Sequence, residues 1–195
     1  SPAKGRNLTG RANGALFILL LNADGTVKSH VEISENKGGF SAPLSSYPFS
    51  YFGSGLAVVG DLDKDGVVDL AVGAEKYGPN EHGSIFILFL NKNGTVKKHT
   101  EIGADELNYL DSNYKNRFGS VICKTGDLNG DSIPDLMVGE PNSNALGKKM
   151  GAVNIIYMET TGNLKSFEKI LPTNPHFSDA KRETSFGSSI ANLGD

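Results

Sequence analysis

Two segments of this chain are near-copies of each other. Phe52–Ala74 reads FGSGLAVVGDLDKDGVVDLAVGA and Phe118–Glu140 reads FGSVICKTGDLNGDSIPDLMVGE. A third copy begins at Phe186 and runs FGSSIANLGD to Asp195. The Phe-Gly pairs therefore recur in steps of 66 and 68 residues (118 − 52 and 186 − 118). Recurrence at a near-fixed period means one supersecondary unit used several times, each copy burying its apolar face on the next.

Within each full copy the order is constant. A Phe-Gly pair leads into a short apolar run, then a carboxylate-rich loop, then a second apolar run ending in Gly. The first loop carries Asp61, Asp63, Asp65 and Asp69 at positions 1, 3, 5 and 9; the second carries Asp127, Asn129, Asp131 and Asp135. Alternate carboxylates on a tight turn direct oxygens to one point, and Ca²⁺ takes about six to eight oxygen ligands. Gly66 at position 6 permits the bend, and the carbonyls of Val67 and Ile133 at position 7 are natural further ligands. Two Ca²⁺ sites are expected, the second weaker because Asn129 replaces an Asp and Ser132 replaces the Gly. The alternative is a solvated Asp/Asn turn, a conformation these residues favour without metal. Two copies in register argue for the ion.

An EF-hand opens with a similar loop but ends on a bidentate Glu at position 12, between helices. Position 12 here is Val72 in one copy and Val138 in the other. The flanks are short, β-branched and bounded by Gly, which reads as strand. The expected carrier is a β-hairpin. Phe-Gly, the D-x-[DN]-x-D-x-x-x-D loop and the closing Gly-Ala or Gly-Glu-Pro together resemble the FG-GAP repeat. That family includes the β-propeller of integrin α subunits, the phospholipase D specific for glycosylphosphatidylinositol, and many secreted proteins. The resemblance implies an all-β fold of four-stranded antiparallel blades, and a calcium-stabilised, non-enzymatic module for adhesion or ligand recognition. The alternative it allows is an accessory propeller of a secreted enzyme whose catalytic residues lie elsewhere. Either role implies an extracellular or cell-surface location.

Four strands per repeat are predicted: Ser54–Val59, Val67–Val72, Ser84–Leu90 and Val96–Ile102, then Ser120–Thr125, Ile133–Val138, Ala152–Met158 and Leu164–Ile170. Ahead of them, Ala15–Leu21 and Val27–Ile33 flank an Asp-Gly turn, a strong hairpin signal. The chain divides into a partial repeat over 1–51, full repeats over 52–117 and 118–185, and the start of another over 186–195. About three blades fall short of the roughly four to eight of a closed propeller. The expectation is a fragment of a larger propeller, or copies that associate to complete a ring. Gly103–Arg117 and the other inter-repeat connectors carry aromatic residues. With the second-to-third-strand loops they give a candidate ligand surface at Tyr47, Phe49, Tyr51, Tyr77, Tyr109 and Tyr114, for a protein or a glycan. Aromatic plugs between blades are the competing reading.

Composition removes other classes. The net charge is −3 and basic residues gather no further than isolated pairs such as Lys97-Lys98 and Lys148-Lys149, so no patch suits nucleic acid. The longest apolar run, Ala15–Leu21, is too short for a membrane span. The single cysteine, Cys123, is expected to be a small buried hydrophobe. His30, His82, His99 and His176 show no metal spacing, and no catalytic triad or phosphate loop is visible. Asn7-Leu8-Thr9 and Asn93-Gly94-Thr95 fit the N-glycosylation pattern.

Overall fold

A computed structural model describes residues 13–107, 115–145, 149–173 and 184–194. These form ten strands in three antiparallel sheets, with short 3-10 turns and no α-helix among the described residues. β1 (Leu16–Leu21) and β2 (Val27–Ile33) make a two-stranded hairpin. β3 (Phe52–Gly60), β4 (Asp69–Ala74), β5 (Ser84–Leu90) and β6 (Val96–Gly103) form the first four-stranded sheet in chain order. β7 (Ile122–Gly126), β8 (Asp135–Glu140), β9 (Ala152–Met158) and β10 (Leu164–Ile170) repeat that order in the second. The register repeats too: Leu19 faces His30, Leu88 faces His99, and Ile156 faces Phe167. β1 and β2 thus correspond to the outer pair of a blade, and the all-β propeller-blade expectation holds.

Three strand starts in the full repeats fall later than expected. β4 begins at Asp69 and β8 at Asp135, because the loop claims the residues before them. The Val67 N–H donates to Asp65 Oδ1 at 2.9 Å, and the Ile133 N–H to Asp131 Oδ1 at 2.9 Å. Such Asx turns compete with the strand ladder for the same backbone donors. β7 likewise starts at Ile122, since the Ser120 N–H closes a turn onto the Arg117 carbonyl at 3.2 Å.

The core lies between sheets. One cluster joins Ile85, Ile87 and Phe89 of β5 to Phe118, Leu136 and Ile156 of the next blade. A second joins Phe52, Val72, Phe86 and Leu88 to Ile33, Phe40 and Leu44 of the preceding hairpin and connector. β5, with neighbours on both faces, is buried at every residue (SIFILFL), a continuous apolar run instead of an alternating one. β1 has one covered face and alternates: Leu16 and Ile18 pack inward while Phe17, Leu19 and Leu21 are exposed. Cys123 stands beside Met137 on the uncovered face of the last sheet and is partly exposed, not buried, because no described sheet packs over that face.

The Phe-Gly pairs stitch blade to blade. The N–H groups of Phe52, Phe118 and Phe186 donate to the carbonyls of Asn13, His82 and Met150, each at 2.9 Å. Phe52 and Phe118 are fully buried, and each ring stabilises its interface by about 1.5–3 kcal/mol through burial alone. Gly83 shows why that junction needs glycine: its φ is +94°, and a Cβ there would lie 2.1 Å from the Phe118 carbonyl oxygen.

Candidate metal centre

The β3–β4 loop is ordered by its own carboxylates. Asp61 Oδ1 accepts the Asp65 N–H at 3.0 Å and Oδ2 accepts the Gly66 N–H at 2.9 Å. Asp69 is fully buried at the base, accepting from Leu62 N–H at 2.9 Å and from Leu90 N–H at 3.1 Å. It therefore ties the loop to the end of β5. Burial raises the Asp69 carboxyl above the ordinary range, against the lowering effect of those two N–H groups.

The β7–β8 loop repeats this wiring. Asp127 accepts from Gly130 N–H at 2.7 Å, Asp131 N–H at 3.0 Å and Ser132 N–H at 2.7 Å. Asn129 Oδ1 also accepts the Asp131 N–H, at 3.0 Å. Asp135 is fully buried and accepts from Leu128 N–H at 2.8 Å, and burial raises its carboxyl as it does that of Asp69. The left-handed backbone falls at positions 4 and 6 in both loops: Lys64 and Gly66 in one, Gly130 and Ser132 in the other.

Oxygens of Asp61, Asp63 and Asp65 all lie within 4.8 Å of one another. Asp63 Oδ1 is buried and has no hydrogen-bond donor. An acceptor-only oxygen held dry among carboxylates is short of positive charge. These residues fit a hard divalent cation. Asp69 is not among the three converging carboxylates; its oxygens face the backbone N–H groups of Leu62 and Leu90.

Two lysines enter the site that the sequence reading passed over. Lys97 Nζ lies 2.7 Å from Asp63 Oδ2 and also binds Asp65, while Lys165 Nζ lies 2.8 Å from Asp131 Oδ2. The lysine contact is the main cause holding the Asp65 and Asp131 carboxyls below the usual range. A signal existed: Val27-Lys28, Val96-Lys97 and Leu164-Lys165 open the fourth strand of each unit.

The aromatic residues separate by burial. Tyr77 is only 5% exposed and belongs to the interblade core, edge-on to Tyr47 with centroids 4.7 Å apart. Burial pushes its hydroxyl up to about 12, with Glu101 adding to the shift. Tyr47 and exposed Phe49 line a groove of about 450 Å³ with Lys76, Glu81 and Lys115. Tyr51 carries the Lys76 ammonium over its ring at 4.5 Å. Tyr109 and Tyr114 lie outside the described residues, as does Asn7. The Asn93 side chain is engaged in its turn, accepting from Thr95 N–H at 3.1 Å and Thr95 Oγ1 at 2.7 Å.

A family model described as FG-GAP repeat matches residues 52–88 and 118–153, each match running from the Phe-Gly pair through the acidic loop into the third strand. The chain carries two FG-GAP repeats. Among curated relatives, phosphatidylinositol-glycan-specific phospholipase D of Bos taurus is 29% identical over 159 residues, 80% of this chain and 18% of that protein. The Homo sapiens enzyme of the same name is 35% identical over 113 residues, 56% of this chain and 13% of the enzyme. Integrin alpha-7 of Homo sapiens is 37% identical over 109 residues, 53% of this chain and 9% of the integrin. This FG-GAP chain spans less than a fifth of the length of these relatives.

Proposed function

We propose that these FG-GAP repeats form a calcium-stabilised, non-enzymatic module of a larger propeller that recognises a protein or glycan at or outside the cell surface. The observation that carries it is the acidic hairpin built twice on the same wiring, with Asp61, Asp63 and Asp65 converging beside the donor-less Asp63 Oδ1. Asp61, Asp63 and Asp65 would hold the first ion and Asp127, Asn129 and Asp131 the second. The Val67 and Ile133 carbonyls and the remaining lone pairs of Asp69 and Asp135 are further donors. The ion supplies charge neutralisation: it lets carboxylates that repel one another sit on one turn, and so pins the two inner strands of each blade.

The recognition surface is the groove between the Tyr47–Tyr51 connector and the Lys76–Glu81 loop. It is flanked by two cations, Lys76 and Lys115, the latter 2.6 Å from Glu81. The integrin relatives support an adhesion role and, with the phospholipase relatives, an extracellular one. The exposed row Phe17, Leu19 and Leu21 on β1 offers the face that a further blade would cover, from the same chain or a second copy. The second reading, an accessory propeller of a secreted enzyme, is favoured by the phospholipase similarity reaching over 80% of the chain.

The test is a thermal melt in millimolar Ca²⁺ and in excess EDTA. Calcium should raise Tm, and Asp61→Ala and Asp127→Ala should each remove part of the gain. Identical melts in both buffers reject the metal. A glycan and peptide array probed with folded protein tests recognition, and binding no greater than background rejects it.

A further inference from the structure

β6 and β10 are the outermost strands of their blades, yet a lysine from each reaches the loop between the two innermost strands. Lys97 spans Asp63 and Asp65 together, whereas Lys165 contacts Asp131. Both occupy the second position of their strand, and Lys28 occupies the same position on β2. A contact that recurs at equivalent positions in two blades comes from the repeat's design, not from one chance rotamer.

The carboxylates these lysines hold are the ones assigned to the metal, so ammonium and ion draw on the same oxygens. An incoming dication must either displace the ammonium from its charge-assisted bonds or bind beside a like charge. Both routes weaken binding. In return the ammonium offsets part of the carboxylate repulsion when calcium is scarce.

We propose that Lys97 and Lys165 are internal rivals of the metal that set the affinity of each loop, Lys97 the more strongly because it holds two carboxylates. The inference rests on the reading of these loops as cation sites. It also changes the expected ranking: the extra charge of the first loop is partly offset by its stronger rival.

Calorimetric titration of the full chain with CaCl₂ tests it, comparing wild type with Lys97→Met and Lys165→Met. Methionine keeps an apolar stem of similar length while removing the charge. Calcium should bind one site about fivefold more tightly in Lys97→Met and about twofold more tightly in Lys165→Met, the range an exposed ion pair supports. Both variants should melt lower than wild type in EDTA. If the methionine variant does not fold, Lys97→Gln carries the same measurement. Unchanged or weaker calcium binding in a folded Lys97 variant overturns the proposal, and a larger gain at Lys165 overturns its ranking. A wild-type chain that takes up no calcium removes the metal reading itself, a different result from a wild type that binds and a variant that binds equally.

Discussion

A Cβ placed on Gly73 would sit 1.9 Å from the carbonyl oxygen of Gly119. The closing glycine of one repeat thus lies directly on the opening glycine of the next, and Ser54 Oγ donates to that same Gly119 carbonyl at 3.1 Å. Gly139 repeats the contact at 2.0 Å from the Gly187 carbonyl oxygen. The obstacle is backbone, so no rotamer relieves it. Gly73→Ala should cost about 2–3 kcal/mol by forcing the blades apart, read as a lower urea midpoint. A midpoint within error of wild type would show that the blades do not meet there.

The two acidic loops place backbone strain at complementary positions. Ser132 has φ +66° where the first loop has Gly66, and Lys64 has φ +60° where the second has Gly130. A left-handed non-glycine residue costs about 1–2 kcal/mol, and a glycine loses about 0.5–1 kcal/mol through its freer unfolded chain. Ser132→Gly and Lys64→Gly should therefore each stabilise by about 0.5 kcal/mol, and Gly66→Ala should destabilise by about 1 kcal/mol. Chemical denaturation in EDTA keeps metal effects out of the comparison. A loss of stability in both glycine variants would contradict the assigned loop geometry.

Much of this architecture was legible because its signals are local. The Asn22–Gly25 and Asn91–Gly94 turns close where the Asp-Gly and Asn-Gly pairs stand, each glycine N–H donating to the first Asn carbonyl. What stayed hidden depends on distance in the chain. The position-9 aspartates read as ligands from spacing alone, whereas the bond from Leu90 N–H that ties Asp69 to the end of β5 left no mark in the sequence. Tyr77 looked like a surface aromatic because its loop is polar, yet it is drawn into the core beside Phe86. Lys97 looked like an ordinary solvated charge, and only the fold brings its outer strand within reach of Asp63. Phe40 gave no signal at all, lying in a connector without periodicity.

His99 supplies a pH response. It lies against Phe40 with ring centroids 4.8 Å apart, and burial lowers its imidazole below the usual value. A base whose folded value is depressed resists protonation in the native state, while the unfolded chain accepts the proton freely. Stability is therefore full above the unfolded value near 6.5 and declines as the pH falls through it. Melts in EDTA should drop by a few degrees between pH 7.5 and pH 5. Phe167 already fills the equivalent place in the next repeat, so His99→Phe should keep the packing and flatten the slope. An unchanged slope would place the titrating group elsewhere.

Phe40 should separate packing from metal. Its ring stacks on Phe52 with centroids 4.7 Å apart, meets Phe86 edge-on at 5.4 Å, and is 1% exposed. From a connector, it fills the space between the first hairpin and the first full blade. Phe40→Ala leaves a hole lined by these rings and should cost about 3–5 kcal/mol, with Phe40→Leu costing about 1–2 kcal/mol. Since Phe40 belongs to the interblade core and not to either acidic loop, the loss should be the same with calcium or EDTA present. Asp61→Ala behaves oppositely, lowering the melt mainly when calcium is supplied. A Phe40→Ala loss that vanished in EDTA would mean that the metal, not the aromatic cluster, holds this interface together.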